Sequence, residues 1–145
     1  MRIYTIGFTK STAESFFTRL QEAGVRRVID IRLKNTSHLA GFAKAEDLPY
    51  FLRAICGIED YVHRPDLAPT EEIMNAFKKE KGTWEAYERA FLPLLAERRI
   101  EETLTRQEVD GACLLCSEDT PEHCHRRLVA EYLRDQWGDV EIIHL

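Results

Sequence analysis

Two cysteines, a histidine and an arginine lie close together near the carboxyl end of the chain, in the order Cys116, Cys124, His125, Arg126. A cysteine thiolate can act as a nucleophile or as a metal ligand, and a neighbouring cation lowers the pKa of the thiol. Glu118 lies between the two cysteines and offers a carboxylate for proton transfer. We therefore expect Cys116, Glu118, Cys124 and His125 to carry any catalysis, with Arg126 holding an anion.

A buried strand and a helix are predicted to position these residues. The apolar run 112–116 predicts the strand, and Asp119 or Thr120, followed by a proline, predicts the cap of the helix. The apolar face of that helix, extended back by one turn, includes Cys124 and His125. We therefore expect the thiol and the imidazole to point inward, at the positive end of the helix dipole.

The composition is that of a globular protein, and it argues against some classes of function. The chain has 145 residues, of which 44% are apolar and 31% are charged, as expected for one folded domain, 1–145. The net charge of −5 argues against broad, sequence-independent binding of nucleic acid, but it leaves a local basic patch open. No apolar run approaches the roughly 20 residues of a membrane helix.

The cellular compartment is predicted from the first residues and from the cysteines. The opening M-R-I-Y-T-I-G is typical of a first strand and lacks the apolar region of a signal peptide. The four cysteines, Cys56, Cys113, Cys116 and Cys124, do not have the spacing of a secreted disulfide framework. We therefore expect a reducing compartment, the cytoplasm, and no association with a membrane.

Predicted strands alternate with predicted helices along the whole chain. We expect strands at 2–6, 25–31, 59–63, 112–116 and 140–145, and helices at 11–24, 46–56, 70–77, 83–107 with a break or kink at Pro93, and 119–137. This alternation predicts a single α/β domain with a mostly parallel sheet flanked by helices, in a Rossmann-like three-layer arrangement. Ligands bind beyond the carboxyl ends of the strands in such sheets. Gly7, Asp30, Arg32 and His63 should therefore meet the cysteine loop at one edge.

Two pairs of alternate residues on predicted strands have more than one interpretation. Asp30 and Arg32 share one face, so that Arg32 either forms an ion pair with Asp30 or presents its guanidinium to a bound anion. Tyr61 and His63 also share a face, and His63 could serve as a general base or could stabilise a loop. The cysteine loop has the same ambiguity, because its thiols and imidazole could also pack in the core.

Several catalytic motifs fail in detail. Cys113 and Cys116 have the C-x-x-C spacing, but residues three apart on a strand point to opposite faces, so these thiols cannot pair. A cysteine-phosphatase loop would need an arginine where Glu122 stands. The chain also lacks the H-x-E motif of zinc deaminases and the glycine-rich loops that bind nucleotides.

Two further kinds of site would use the same cysteines. A zinc ion could be held by Cys116, Cys124 and either His125 or His63, although this spacing matches no common zinc motif. The two cysteines could also form a redox-active disulfide if their Cα atoms lie within about 7 Å of each other. We assign no metal and no cofactor from the sequence.

The motifs taken together resemble a known family. They are T-I-G at 5–7, D-x-R at 30–32, F-x-K at 42–44, Y-V-H at 61–63, L-C-S-E at 115–118 and C-H-R at 124–126. With them the chain resembles the bacterial and archaeal family numbered 488 among domains of unknown function, which implies an α/β domain whose motif residues gather at one site. The chain departs from the family pattern at 7–9, 34–38 and 67–69, where the family often has G-H-S, a proline with a Ser-Arg pair, and L-G-G. The residues expected to contact substrate are Gly7, Asp30, Arg32, Lys44, Tyr61 and Arg126.

The favoured hypothesis is a small cytoplasmic enzyme acting on an anionic substrate that is phosphate-bearing or derived from nucleic acid. Arg32, Arg126 and the helix N-terminus would hold the anion, either cysteine would act as the thiolate, and Glu118, His125 or His63 would transfer protons. The main alternative is a non-catalytic module that recognises a nucleic-acid end or a protein partner, with structural cysteines. A thiol redox site or a metal site is the third. The sequence does not predict the oligomeric state.

Overall fold

The computed structural model describes residues 1–36 and 40–145, along which strands and helices alternate as predicted. The strands are β1 Arg2–Gly7, β2 Arg27–Asp30, β3 Asp60–His63, β4 Ala112–Cys116 and β5 Glu141–His144. The helices are α1 Ala13–Ala23, α2 Leu48–Phe51, which continues as a π-helix over Leu52–Cys56, α3 Glu71–Lys78, α4 Trp84–Arg98, α5 Ile100–Thr103, α6 Arg106–Val109 and α7 His125–Trp137. Across both described ranges, no helix is long and apolar enough to cross a membrane.

The five strands form one sheet in the order β3-β2-β4-β1-β5, and every neighbouring pair is parallel. β1 and β2 are parallel, as predicted for the first β-α-β unit, but β4 lies between them. All five residues of β4 are buried, as a central parallel strand requires. The register places Gly7 opposite Cys116, and Asp30 opposite both His63 and Leu115. The polar ends of four strands therefore lie at the same edge of the sheet.

Helices cover both faces of the sheet, which confirms the predicted three-layer α/β class. Along β4, Cys113 and Leu115 pack in the cluster formed with α1 and α2, whereas Leu114 and Cys116 pack in the cluster formed with α4 and α7. The two thiols of the C-x-x-C sequence therefore point to opposite faces, as predicted. Cys116 lies on the α4–α7 side, and the chemistry of the site must be sought there.

The start of α7 differs from the prediction. The helix begins at His125 with Cys124 at the N-cap, and neither Asp119 nor Thr120 caps it. Residues 119–124 form turns instead, and the Cys124 backbone is extended, with φ −133° and ψ 137°. The predicted cap was wrong because it considered local signals alone, whereas tertiary contacts of this loop, described below, hold it out of the helix.

The long helix predicted for 83–107 is also divided differently. α4 continues through Pro93 to Arg98, and the chain leaves the helix at Arg99, which has a left-handed φ of 53°. Two short helices, α5 and α6, follow. A proline inside a helix removes one hydrogen bond, but here the fully buried Phe91 and Leu95 fix the helix against the core on both sides of it. Packing outweighs the local preference at this position.

The segment predicted as a loop, 34–44, connects β2 to α2, and residues 37–39 lie outside the described residues. Its described part contains a 3-10 turn, Gly41–Ala43. The Ala45 N–H donates to the Asn35 carbonyl at 2.8 Å, and the Ala43 carbonyl accepts a hydrogen bond from Nη2 of Arg32 at 2.7 Å. These bonds hold the far end of the segment beside the end of β2.

The Thr83 cap offers a test of how α4 is fixed. Its hydroxyl accepts a hydrogen bond from the Ala86 N–H at 3.1 Å. We expect Thr83→Ala to lower the free energy of unfolding by about 1 kcal/mol, because an N-terminal donor of the helix loses its partner. Urea denaturation measures the change. Thr83→Ser retains the acceptor and is the matched control, so equal destabilisation by both substitutions would contradict the role of the cap.

Candidate functional site

A cleft of about 430 Å³ opens beside the carboxyl ends of the central strands. Its floor includes Cys116, Cys124 and His125, whose exposed fractions are 5%, 3% and 6%. Cys116 is the last residue of β4, and the other two residues are the N-cap and first residue of α7. The strand and the helix thus bring together three side chains that the sequence singled out.

The two thiols and the imidazole form a compact cluster. The ligand atoms of Cys116, Cys124 and His125 all lie within 4.8 Å of one another. The Sγ atom of Cys116 is 3.4 Å from Nδ1 and 3.6 Å from Nε2 of His125. Because these two distances are nearly equal, the sulfur lies beside the ring and not along the lone pair of either nitrogen. The imidazole therefore packs against the sulfur without forming a well-directed Cys–His hydrogen bond.

The two cysteines differ in their affinity for a proton. Burial alone would raise the pKa of the Cys116 thiol, but hydrogen bonds from the Cys124 thiol and the Ser117 backbone, with the charge of Arg126, bring it below its usual value. The same thiol–thiol hydrogen bond and burial hold the pKa of Cys124 well above its usual value. Within the pair, the Cys116 thiol therefore loses its proton more readily than the Cys124 thiol.

His125 is held as a neutral ring. Its Nε2 lies 2.7 Å from the Ile31 carbonyl, which can only accept, so Nε2 carries the proton. Burial lowers the pKa of the imidazole. Nδ1 then retains a lone pair, and Cys116 has no imidazolium partner in His125. The positive charge close to the sulfurs comes from Arg126, whose Nη1 is 3.7 Å from Sγ of Cys124.

Arg126 and Gly7 close the loop that connects the two cysteines. The guanidinium is 1% exposed, and it donates to Thr5 Oγ1 at 3.3 Å and to the Glu118 carbonyl. Gly7 lies under the same carbonyl, where a Cβ atom would overlap the oxygen of Glu118. The described contacts of Arg126 are all internal, and it is not among the described residues that line the cleft. Its geometry favours a role in shaping the site over direct contact with a ligand.

Asp30 and Arg32 form a buried, bidentate ion pair. Nε and Nη2 of Arg32 lie 2.9 Å and 2.8 Å from the two carboxylate oxygens of Asp30, and the Tyr61 hydroxyl also donates to this carboxylate. Burial would raise the pKa of Asp30, but the hydrogen bonds and charge of Arg32 bring it below its usual value. Of the two interpretations of the D-x-R motif, the ion pair is observed, although Arg32 also lines one wall of the cleft.

Three other predicted residues lie in different surroundings. Glu118 lines the cleft, but its carboxylate is paired with Nζ of Lys78 at 2.9 Å. His63 lies with Nε2 2.7 Å from the Arg32 carbonyl, and Nζ of Lys44 is 3.2 Å from Asp47. Neither His63 nor Lys44 is among the described residues that line the cleft. The geometry gives no direct support to a general base at His63 or a substrate contact at Lys44.

The rim of the cleft contains basic and aromatic residues that the motifs did not indicate. Lys34, Lys78 and Lys79 line it, as do Glu71 and Glu118, which pair with Lys34 and Lys78. Phe77 and Tyr87 form an aromatic wall. Most of these come from α3 and α4, which were predicted as helices but carry no motif. The adjacent lysines at the end of α3 were the available signal, because two neighbouring cations at one helix end mark a local basic patch. The negative net charge of the whole chain did not exclude a local basic patch of this kind.

The fold and the site thus define the class of protein. It is an α/β domain with a cysteine–histidine cluster beyond the ends of its parallel strands. The family model described as domain of unknown function DUF488 matches residues 12–133, and the chain belongs to this family. The match includes the D-x-R, cysteine-loop and C-H-R motifs, whereas T-I-G at 5–7 precedes it. No curated protein and no solved structure matches the chain.

The close approach at Gly7 predicts a strong effect of a single methyl group. We expect Gly7→Ala to lower the free energy of unfolding by about 3 kcal/mol, because the new Cβ displaces the Glu118 carbonyl and the loop with it. Urea denaturation measures the loss. Gly41→Ala is the matched control, since its Cβ would meet no atom within 4 Å. Unchanged stability of Gly7→Ala would show that the loop is not packed on β1.

The neutral state of His125 predicts a pH dependence of stability. Its pKa in the folded chain is below the 6.5 of the free side chain, so between these values only the unfolded chain takes up a proton. Stability should therefore fall as the pH drops below about 6.5, by at most about 1.4 kcal/mol per pH unit for one proton. Urea denaturation between about pH 5 and 7 should show a shallower fall in His125→Gln.

The control for this experiment is His144, whose pKa burial also lowers. His144→Gln should remove a separate share of the pH dependence, and the double variant should show the smallest slope. A His125→Gln protein that loses stability with acid as steeply as the parent would contradict a buried, neutral His125.

Proposed function

We propose that this protein is an enzyme in which the Cys116 thiolate attacks a small anionic substrate bound in the cleft. The observation that carries the proposal is the position of Cys116, a thiol of lowered pKa on the floor of a cleft with a basic rim. A thiolate stabilised at neutral pH is the form of cysteine that reacts as a nucleophile. Reaction at this sulfur requires no change of fold, because the sulfur already lines the cleft.

The surrounding groups support distinct roles in such a reaction. Lys79 at the rim provides a cation that attracts an anion, and Lys78 adds a second positive charge that Glu118 partly offsets. The buried charge of Arg126 stabilises the thiolate and leaves substrate contact to the lysines. A phosphate-bearing compound or a fragment of nucleic acid fits this charge pattern, and cysteines without the spacing of a secreted disulfide framework suit a cytoplasmic protein.

The pH dependence of alkylation tests the nucleophile directly. In a Cys56→Ser background, which removes the half-buried fourth thiol, we expect iodoacetamide to label Cys116 rapidly below the ordinary thiol pKa of about 8.5. Peptide mass mapping should show slow labelling of Cys113, whose pKa is raised by burial. Cys116→Ser should abolish the fast phase. Slow labelling of Cys116 until the protein unfolds would contradict nucleophilic catalysis and favour a binding module with structural cysteines.

The charge of the reagent tests the anionic substrate separately. Relative to its rate with free cysteine, iodoacetate should react with Cys116 up to about tenfold faster than neutral iodoacetamide does, because the basic rim concentrates anions. Replacing both Lys78 and Lys79 by alanine should remove most of this preference. Arg134→Ala removes a positive charge from the exposed face of α7 and should leave the preference unchanged. A preference for the neutral reagent would contradict an anionic substrate.

A metal centre is the second candidate, and it has its own supporting observation. Three donor atoms lie within 4.8 Å of one another, and the Ile31 carbonyl orients His125 as second-shell partners of metal-bound histidines do. Zinc with three protein ligands and an open position on the cleft would be a catalytic type of site. The ring would have to turn so that the Nδ1 lone pair faces the sulfurs.

Metal analysis distinguishes this candidate from the free thiolate. A zinc centre predicts close to one equivalent of zinc in protein purified without chelators, its loss in Cys116→Ser and His125→Gln, and protection of both thiols from alkylation. Protein that contains no zinc, takes up none on titration and still alkylates rapidly at Cys116 would rule against the metal centre and support the nucleophile.

A further inference from the structure

We propose that Cys124 is the second reacting thiol of the same site, and that the substrate is a small anionic disulfide which the two cysteines reduce. This inference rests on the proposed function and deepens it, because it names the class of substrate and the partner of the nucleophile. The inference is based on the presence of a second thiol in the cleft, which nucleophilic attack by Cys116 alone does not require. Two reduced thiols, both buried, face the same cleft within 4.8 Å of each other.

The backbone at Cys124 suits a sulfur that must move. Cys124 occupies the N-cap of α7 with an extended backbone, and its side chain makes no capping hydrogen bond. Its sulfur therefore does not cap the helix. It packs in the core, accepts a hydrogen bond from Nη1 of Arg126 at 3.7 Å and lies within 4.8 Å of the Cys116 sulfur. A disulfide requires an S–S distance of about 2.05 Å. The two sulfurs, which lie within 4.8 Å of each other, must therefore approach for the bond to form.

The reaction balances with the groups present and one external reductant. The Cys116 thiolate attacks one sulfur of the substrate R–S–S–R, forms the mixed disulfide Cys116–S–S–R and releases RS⁻. The Cys124 thiol then attacks the sulfur of Cys116, forms the Cys116–Cys124 disulfide and releases the second RS⁻, while its proton passes to one of the released thiolates. The substrate gains two electrons, and the enzyme dithiol loses two. A dithiol reductant restores the enzyme by the same exchange in reverse.

The charges around Cys124 favour the second step. Nη1 of Arg126 lies 3.7 Å from its sulfur, so negative charge that develops as Cys124 loses its proton is stabilised at once. The same guanidinium stabilises Cys116 when that sulfur is the thiolate. Arg126 therefore stabilises negative charge on Cys116 in the first step and on Cys124 in the second. The loop between the two cysteines keeps its path in both steps.

The walls of the cleft define the substrate further. Lys78 and Lys79 provide positive charge at the rim, and Phe77 and Tyr87 provide an aromatic wall close to the sulfurs. A disulfide with carboxylate groups on planar or apolar arms would satisfy both. The compound 5,5′-dithiobis(2-nitrobenzoate) has these properties and releases a coloured thiolate at each step, while 2,2′-dithiodipyridine is an uncharged aromatic disulfide for comparison.

The test mixes reduced Cys56→Ser protein with one equivalent of the anionic probe. We expect two coloured thiolates per protein and a Cys116–Cys124 disulfide that peptide mapping identifies. The Cys124→Ser variant of this protein keeps a hydrogen-bond donor beside Cys116, so it should release one thiolate and stop at a stable mixed disulfide. Cys116→Ser should react slowly. The neutral probe should react up to about tenfold more slowly than the anionic one, after correction for their rates with free cysteine, and less so after loss of Lys78 and Lys79.

The outcomes separate this inference from the proposed function. A parent protein that reacts rapidly at Cys116 but accumulates the mixed disulfide would overturn the role of Cys124 and leave the nucleophile intact. Equal release of thiolate by the parent and Cys124→Ser proteins would do the same. A Cys116 that does not react with either probe or with iodoacetamide would overturn both proposals.

Discussion

The buried guanidinium of Arg126 is the group on which the rest of the site depends. Burial of a charge is costly unless hydrogen bonds and an opposite charge compensate it. The described hydrogen bonds of Arg126 go to Thr5, to the Glu118 carbonyl and to Cys124, and they do not include a carboxylate. Under the proposed function, a thiolate at Cys116 adds a negative charge that interacts with this guanidinium. The hydrogen bond from the Cys124 thiol, the Ser117 backbone and the charge of Arg126 together lower the pKa of the Cys116 thiol.

The same guanidinium fixes the path of the chain between the two cysteines. It holds the Glu118 carbonyl over Gly7, where a side chain would not fit, and so it folds the loop back toward β1. That path keeps residues 119–124 out of α7 and leaves Cys124 at the helix N-cap beside Cys116. The path of the loop and the position of Cys124 at the N-cap of α7 follow from this contact.

Much of the architecture could be predicted because its causes are local. The continuous apolar run of β4 predicted a central strand, and the period of two along it placed Cys113 and Cys116 on opposite faces. The position of β4 between β1 and β2 could not be predicted, because strand order depends on contacts between distant segments. The cap of α7 and the extent of the helix predicted for 83–107 were wrong for the same reason, since tertiary packing outweighed the local signals.

The sequence predicted those site residues that belong to a motif. It did not predict those that tertiary packing brings to the cleft. Cys116, Cys124 and His125 gather as their types and spacing indicated. Arg32 is engaged with Asp30, a choice between two partners that the sequence left open. Lysines from α3 reach the cleft only because α3 packs there. The pattern of polar and apolar residues on α3 predicts a helix, but it does not predict which part of the fold that helix packs against.

The most direct measurement of the central claim is the ionisation of Cys116, followed as the ultraviolet absorbance of the thiolate during a pH titration of the reduced protein. The difference between the parent protein and Cys116→Ser isolates this sulfur. A transition below the ordinary thiol pKa of about 8.5 is the result expected of a thiolate that the Cys124 thiol, the Ser117 backbone and the charge of Arg126 stabilise. A transition at or above that value would contradict a stabilised thiolate, and with it the proposed nucleophile.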